Sequence, residues 1–463
     1  MYPILRDLPT PDNPRAALNF DAIQRIVPPA VIATVLTAEA AHEQRARKFT
    51  MTLVVWGLIA MNCYAHLDIA HVLRKLTQAT RFLRPTDPDP TPTAGAFSYR
   101  RYQLGARPLV ALFHAVCRPL ATPTMRGAWL CGLRLMAFDG TTEDVPDTPA
   151  NLAAFGRHRG RRGDSAFPQV QGLYLVECGT HAIVDAGFWP CHTSEHRAVR
   201  RLVRALTPEM LVLYDRGLHS FDLIEAIRAR GAHVLGRVPS TVQPEVLTTL
   251  ADGSQLVRLR PGDPAARRTG TQIVLRLIRY RLEDPALAGY GQTYRVLTSL
   301  CNPDTAPAAA LAAAYHERWE IEGTIDEVDT HQRLARRVVR SQKPVGVIQE
   351  LYALLIAHYV VRAVMHDTAV EADIDPDRLS FVGALRVLQD AIPEFALLPV
   401  QGWETRYARV RQEIAACKRV PLRRARSNPR VVRRNMSKFP LKRPDHSRLP
   451  QPTRPIREAI LLI

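Results

Sequence analysis

Between residues 130 and 240 the hydrophobic pattern keeps changing period, and that alternation constrains the fold more than any single residue. LRLMAFDGT is a short apolar run that ends in Asp and Gly. QVQGLYLVEC and HAIVDAGFWP are strand-length runs parted by Gly179-Thr180, a hairpin signal. SEHRAVRRLVRAL has helical spacing, and EMLVLYDRG is a second apolar run ending in Asp and, two residues later, Gly. FDLIEAIRARG is a helix with a glycine stop, and AHVLGRV is another strand. The order strand, strand, strand, helix, strand, helix, strand belongs to an α/β domain.

The flanks read differently. Residues 20–83 have helical spacing, the proline-rich RPTDPDPTPTAGA at 84–96 is a connector, and a further helical piece covers 97–120. This predicts an all-helical, basic domain over 1–120. Residues 240–300, rich in Val, Thr and Leu with the turn signals DGS and PGDP, predict a β-rich insertion. VIQELYALLIAHYVVRAVM at 347–365 predicts a buried helix closing a domain that spans 121–365, and 366–463 is left as a helical and basic C-terminal region. From Lys418 to Arg443 that region has eleven Lys or Arg and no acid before Asp445.

Sixty-two Lys and Arg against 44 Asp and Glu give a formal charge of +18, which favours a polyanionic partner, nucleic acid before an anionic membrane. The run MTLVVWGLIAMNCY at 51–64 is too short to span a bilayer, and MYPILRDLPTPDNP lacks the apolar core of a secretory signal. Seven cysteines are scattered without a CxxC pair, the pattern of a reduced compartment. Cys191, His192 and His196 stand close in sequence, but without further paired ligands they read as ordinary loop and helix polar residues.

Two apolar strands each deliver an Asp at their C-terminal end, Asp139 in MAFDGT and Asp215 in LVLYDRG. In an α/β sheet that edge opens into a crevice where sites are built. Neighbouring carboxylates repel unless a cation joins them, so a shared divalent metal is implied, and Mg2+ suits an all-oxygen site. The stretch YHERWEIEGTIDEVDTHQRLARR, residues 315–337, crowds six acids into its first fifteen positions. On one continuous α-helix, Tyr315, Arg318, Glu322, Asp326, Asp329 and Arg333 fall within roughly 80° of one another. Ile321, Ile325, Val328 and Val339 form the adjoining apolar stripe, and Glu317, Glu320 and Glu327 point to solvent. Glu322, at the margin of the two faces, is the first candidate for a third metal ligand and Asp326 the second. The loop GRHRGRRGDS at 156–165, with Arg157, Arg161 and Arg162 among glycines, reads as a clamp for a DNA backbone.

The order DGT, LYDRG, YHERWEIE resembles the DDE transposases of the insertion-sequence-4 group. Their signature is Tyr, two residues, Arg, three residues, Glu, six residues, Lys, and Tyr315, Arg318 and Glu322 match it in type and spacing. AFPQVQGLYLVECGTHAIVDA, the SEH helix and QELYALLIAHY extend the likeness over most of the chain. The resemblance implies a ribonuclease-H-like catalytic domain with a β-rich insertion, preceded by a helical N-terminal DNA-binding domain. It implies cleavage of DNA and strand transfer at the ends of an insertion sequence. Asp139, Asp215 and Glu322 would be catalytic and would hold two Mg2+ or Mn2+ ions. Tyr315 and Arg318 would position the scissile strand. The signature lysine is replaced by Asp329, with Arg333 or Arg336 to cover the gap. Arg423, Arg424, Arg430, Arg433 and Arg434 in the tail would add contacts to transposon ends and target DNA. A homodimer assembled on DNA, no membrane partner and a cytoplasmic, nucleoid-associated location in a prokaryotic cell complete the expectation. The alternatives are a catalytically impaired, transposase-derived DNA-binding protein and a ribonuclease-H-like metal nuclease. Hairpin-forming members hold a flipped base with an aromatic residue in the insertion, which here offers Tyr280, Tyr290 and Tyr294 but no Trp.

Overall fold

The computed structural model of the chain describes residues 21–41, 50–78, 81, 91–160, 163–263, 265, 268, 270–287, 289–333, 338–395, 402–420 and 455–463. At its centre is one mixed sheet. Its main path is β1 (Leu133–Asp144), β2 (Gln169–Glu177), β3 (Ile183–Pro190), β4 (Met210–Tyr214), β5 (His233–Arg237), β6 (Glu245–Thr249), β7 (Gln255–Leu259), β8 (Ile273–Leu282) and β9 (Thr293–Thr298). The spatial order is β3-β2-β1-β4-β5-β9-β8-β7-β6. β1, β2 and β3 form an antiparallel meander, whose β2–β3 turn uses Gly179 at φ +85. β4 lies parallel to β1, and β5 parallel to β4.

The continuous apolar runs are explained by burial on both faces. Along β1, Leu135 and Ala137 enter one core while Met136 and Phe138 enter the other. The second core is closed by the two crossover helices, α7 (Glu195–Leu202) and α8 (Phe221–Ala229). The strands expected over 240–300 are present, and they continue the same sheet beyond β5. There Tyr280 and Tyr294 stack, with centroids 5.1 Å apart, and are buried, which leaves Tyr290 as the exposed tyrosine of the three. A last strand, β10 (Ile460–Leu462), pairs with β8, so the end of the chain returns to the sheet.

The first core is shared with the N-terminal helices α1 (Pro29–Ala38), α2 (Met51–Cys63), α3 (Ile69–Leu76), α4 (Ala94–Leu104) and α5 (Arg107–Val116). Side chains of Thr50, Asp68 and Thr93 cap α2, α3 and α4, as their positions before apolar-periodic runs predict. Between α5 and α7 lies α6 (Pro149–Phe155). After the sheet come α9 (Ala308–His316), α10 (Trp319–Asp326), a π-helical turn at Glu327–Gln332, α11 (Pro344–Glu371), α12 (Phe381–Phe395) and α13 (Trp403–Ala416). α11 is long and apolar enough to cross a membrane, but it runs through the protein's own core. Arg101 of α4, 3% exposed, donates to Gly346 O and Ser341 Oγ, both at 2.9 Å, and so fixes the start of α11. Part of the N-terminal basic surplus is therefore internal structure.

Candidate active site

Sheet register brings the two aspartates level. Ala137 of β1 pairs with Leu213 of the parallel β4, and Asp139 and Asp215 each follow two residues later. A step of two keeps a side chain on the same face, and adjacent strands lie about 4.8 Å apart. Both carboxylates thus leave the sheet on the face of the first core, Asp215 just past the C-terminal end of β4 and Asp139 in mid-strand, because β1 runs on to Asp144 instead of ending at Asp139 as its apolar run suggests. Each aspartate is held locally, since the Gly140 N–H donates to Asp139 Oδ1 at 2.8 Å and the Leu218 N–H to Asp215 Oδ1 at 2.9 Å. The glycines of DGT and DRG also have a cause. A Cβ at Gly217 would stand 3.2 Å from Asp215 Oδ1, and one at Gly140 would stand 3.3 Å from Gly172 O and 3.5 Å from Glu195 Oε1.

α10 supplies the third acid. Arg318, 5% exposed, reaches Glu322 Oε1 at 3.1 Å with Nη2 and Asp139 Oδ2 at 3.6 Å with Nη1. One guanidinium therefore links two of the three carboxylates. Burial pushes Asp139 up to about 6, against the pull of Arg318 and the Gly140 N–H, with the charges of Glu322 and Asp215 adding to the rise. Tyr315 is buried, and the charge of Arg318 partly offsets the rise that burial causes in its hydroxyl. Arg216, next to Asp215, is exposed at this edge and was not singled out from the sequence.

The single helical phase expected over 315–337 is not what forms. α9 ends at His316, α10 starts at Trp319, and the chain then widens into the π turn. Each change of winding rotates later residues away from the positions that 100° per residue assigns. Three expectations are corrected by it. Arg333 does not sit on an open stripe, because it is 6% exposed and its guanidinium is paired with the buried Glu143 of β1. Asp329 turns toward the same strand, where its Oδ2 accepts from Thr141 Oγ1 at 2.8 Å. Glu320 and Glu327 are not solvated but 7% and 3% exposed. His181 Nε2 meets Glu320 at 2.8 Å and its Nδ1 meets Glu327 at 3.2 Å, while Arg362 and His358 also bind Glu327. Burial and Arg362 oppose charge on His181, yet the two carboxylates hold it up at about 9.

Of the other DNA-contact candidates, Arg157 is committed to the base of its loop, donating to Ser165 O and Ala166 O at 2.9 Å and pairing with Asp147. Arg161, Arg162, Arg336, Arg423, Arg424, Arg430, Arg433 and Arg434 lie outside the described residues. His196 is exposed on α7, and the residue that approaches Cys191 and His192 is His158 instead.

Two family models match the chain, "Insertion element 4 transposase N-terminal" over residues 17–114 and "Transposase DDE domain" over 131–360. The transposase InsG for insertion sequence element IS4 of Escherichia coli (strain K12) is 26% identical over 422 residues, 89% of this chain and 91% of that protein. The putative transposase InsZ of the same organism is 23% identical over 200 residues, 43% of this chain and 64% of that one. Among solved structures, a piggyBac transposase synaptic complex with hairpin DNA aligns over 88% of this chain and 85% of that one, at 11% identity. Its TM-score is 0.37, a distance at which the two folds are not equated.

Proposed function

This chain belongs to the DDE transposases of the insertion-sequence-4 group, and on that premise we propose that Asp139, Asp215 and Glu322 are the acids that hold its divalent metal. The protein is an enzyme that cleaves DNA and transfers strands, with a divalent metal as its cofactor. The observation that carries the triad is the convergence of Asp139 and Asp215, level on adjacent parallel strands, with Glu322 joined to Asp139 through Arg318. The order β3-β2-β1-β4-β5, with acids on β1 and just after β4, supports a ribonuclease-H-like core extended by β6 to β9.

The donor set fits the cofactor. Three carboxylates are hard oxygen ligands, two of them share one buried guanidinium, and Asp139 already resists ionisation through burial, with its like-charged neighbours adding to it. Mg2+ or Mn2+, two ions per site, matches such a set. Bound there, the metal supplies Lewis acidity and a lowered pKa for the attacking hydroxyl. Arg318 neutralises the acids and offers a cation to a phosphate oxygen once they are otherwise charge-balanced. The Trp319 ring lies against the Arg318 guanidinium, its centroid 5.6 Å from Cζ. Gly217 keeps the space beside Asp215 open, and Gly140 lets β1 approach β2 at the site. The substrates are transposon ends and target DNA, on which two copies assemble as a homodimer.

Cleavage of end-labelled transposon DNA in Mg2+ tests the assignment. Asp139→Asn, Asp215→Asn and Glu322→Gln are each expected to lower the rate by about 10³-fold or more, and a joint variant no further than the worst of them. DNA binding by gel shift should stay near the parent's. Near-normal cutting by any one variant removes that residue from the site.

A further inference from the structure

We propose that His158, Cys191 and His192 form a second metal site that takes Zn2+ and ties the base of the arginine loop to the edge of the sheet. Their ligand atoms, one from each residue, all lie within 4.8 Å of one another. Zinc ligation at 2.0–2.3 Å separates tetrahedral donor atoms by about 3.3–3.8 Å, so closure needs movements of about 1 Å. His158 and His192 are exposed and free to rotate that far, while Cys191 is 2% exposed and fixed. The two imidazoles already face each other edge-on, with centroids 6.1 Å apart at 77°.

The backbone prepares this meeting. Cys191 follows the last residue of β3, and its N–H donates to Phe155 O, the end of α6, at 2.9 Å. The chain leaves α6 through Gly156 at φ +75. A Cβ there would stand 3.1 Å from His192 Nε2 and 3.4 Å from Cys191 Sγ, so a residue without a side chain makes room for the pair. Two residues on, His158 O accepts from Ser165 N at 2.9 Å, which closes the loop that holds Arg157 and Arg159. The cluster therefore joins the strand end to the loop base.

One thiolate and two imidazoles are a borderline-soft set that selects Zn2+ over Mg2+, unlike the all-oxygen acids of the catalytic site. Three protein ligands leave a fourth position for water. The location gives the ion a purpose. Asp144 of β1 pairs with Gln169 of β2, and Val170 with Pro190 of β3, so Cys191 lies at the end toward which β1 runs on from Asp139, about 17 Å farther along the strand. An ion there would fix the base of the loop to the end of β3, on the side toward which β1 runs on from Asp139.

The full-length protein, dialysed against excess Mg2+ with and without added Zn2+, gives the first measurement. The expected result is one equivalent of Zn2+ retained, and a near-ultraviolet thiolate-to-metal band when Co2+ replaces it. Cys191→Ser should lose the band, and His158→Ala should weaken Zn2+ binding at least tenfold. Trypsin should cut the 156–165 loop more slowly with Zn2+ in the parent and at one rate in both variants. If Cys191→Ser does not fold, the exposed His158→Ala variant decides alone. Sub-stoichiometric Zn2+, a Co2+ spectrum without a thiolate band, or undiminished binding by His158→Ala each overturns the proposal.

Discussion

Replacing Asp329 by Asn should remove a pH dependence of stability that the fold builds into its catalytic strand. Asp329 Oδ2 accepts from Thr141, while its Oδ1 and the Oε1 of Glu143 are buried with no hydrogen-bond donor among the described residues. A proton between the two carboxyls satisfies both. Burial raises Asp329 first, the neighbouring Glu143 carboxylate adds to it, and Thr141 and Arg333 pull back, with the result at about 8. The unfolded aspartate releases its proton near pH 4. Across the window from 4 to 8 the folded state thus binds more protons than the unfolded one, and stability falls as pH rises. For one group at that value the loss between pH 6 and 8 is about 2 kcal/mol. Asparagine supplies permanently what the proton supplies, an N–H toward Glu143 and a carbonyl toward Thr141. Asp329→Asn should therefore match the parent at pH 6 and exceed it by about 2 kcal/mol at pH 8. Urea unfolding of metal-free protein at pH 6, 7 and 8 reads this as a midpoint that drifts down more steeply in the parent than in the variant, since His181, held up at about 9, gives both proteins a common downward drift. Parallel drift in both proteins would refute a shared proton, and a variant weaker than the parent at pH 8 would mean that Asp329 is ionised there.

His181→Gln should destabilise by about 3–5 kcal/mol, seen as a lowered melting temperature, because it leaves Glu320 and Glu327 buried without their imidazolium. Gly217→Ala should slow single-turnover cleavage by about 10–100-fold with an unchanged melting temperature, since its Cβ displaces the Asp215 carboxylate; an unaltered rate would place that carboxylate outside the chemistry. Deleting 421–454 removes eleven Lys or Arg yet spares β10, and if half of them touch phosphate the slope of log affinity against log salt should flatten by about 5.

The parts of this protein that sequence makes legible are those decided locally. Each apolar run buried on both faces has one stable assignment, and an Asp that ends such a run must emerge at the sheet's C-terminal edge. Asp215 emerges there, just past Tyr214, whereas β1 continues beyond Asp139 to Asp144, which its apolar run does not foretell. The tail could be recognised as basic, but not that Ile460–Leu462 returns to β8, because three apolar residues make no pattern by themselves. Nor could the stretch 315–337 be phased. Its winding is set by partners far away in the chain: Glu143 and Thr141 on β1, His181 at the β2–β3 turn, and Arg362 on α11. A charge run looks solvated until such partners are known, and Cys191 and His192 look like ordinary polar residues until His158 is placed beside them.

Those partners also explain why a chain with so large a positive surplus crowds acids onto one helix. The carboxylates do different jobs. Glu320 and Glu327 bind α10 and the π turn to His181, Arg362 and His358 on one side. Asp329 and its neighbour Arg333 bind the turn to Thr141 and Glu143 of the strand that carries Asp139. Glu322 lies between Glu320 and Glu327 on the segment these contacts hold, and its own carboxylate is paired with Arg318. On the proposed assignment, a metal ligand carried by a segment held in this way needs little reorganisation when its cation arrives. It follows that the missing signature lysine is not simply a lost DNA contact. The aspartate in its place is built into the support of the segment that carries Glu322, and on the proposed function the candidates for meeting DNA are exposed side chains such as Arg216 and the basic tail.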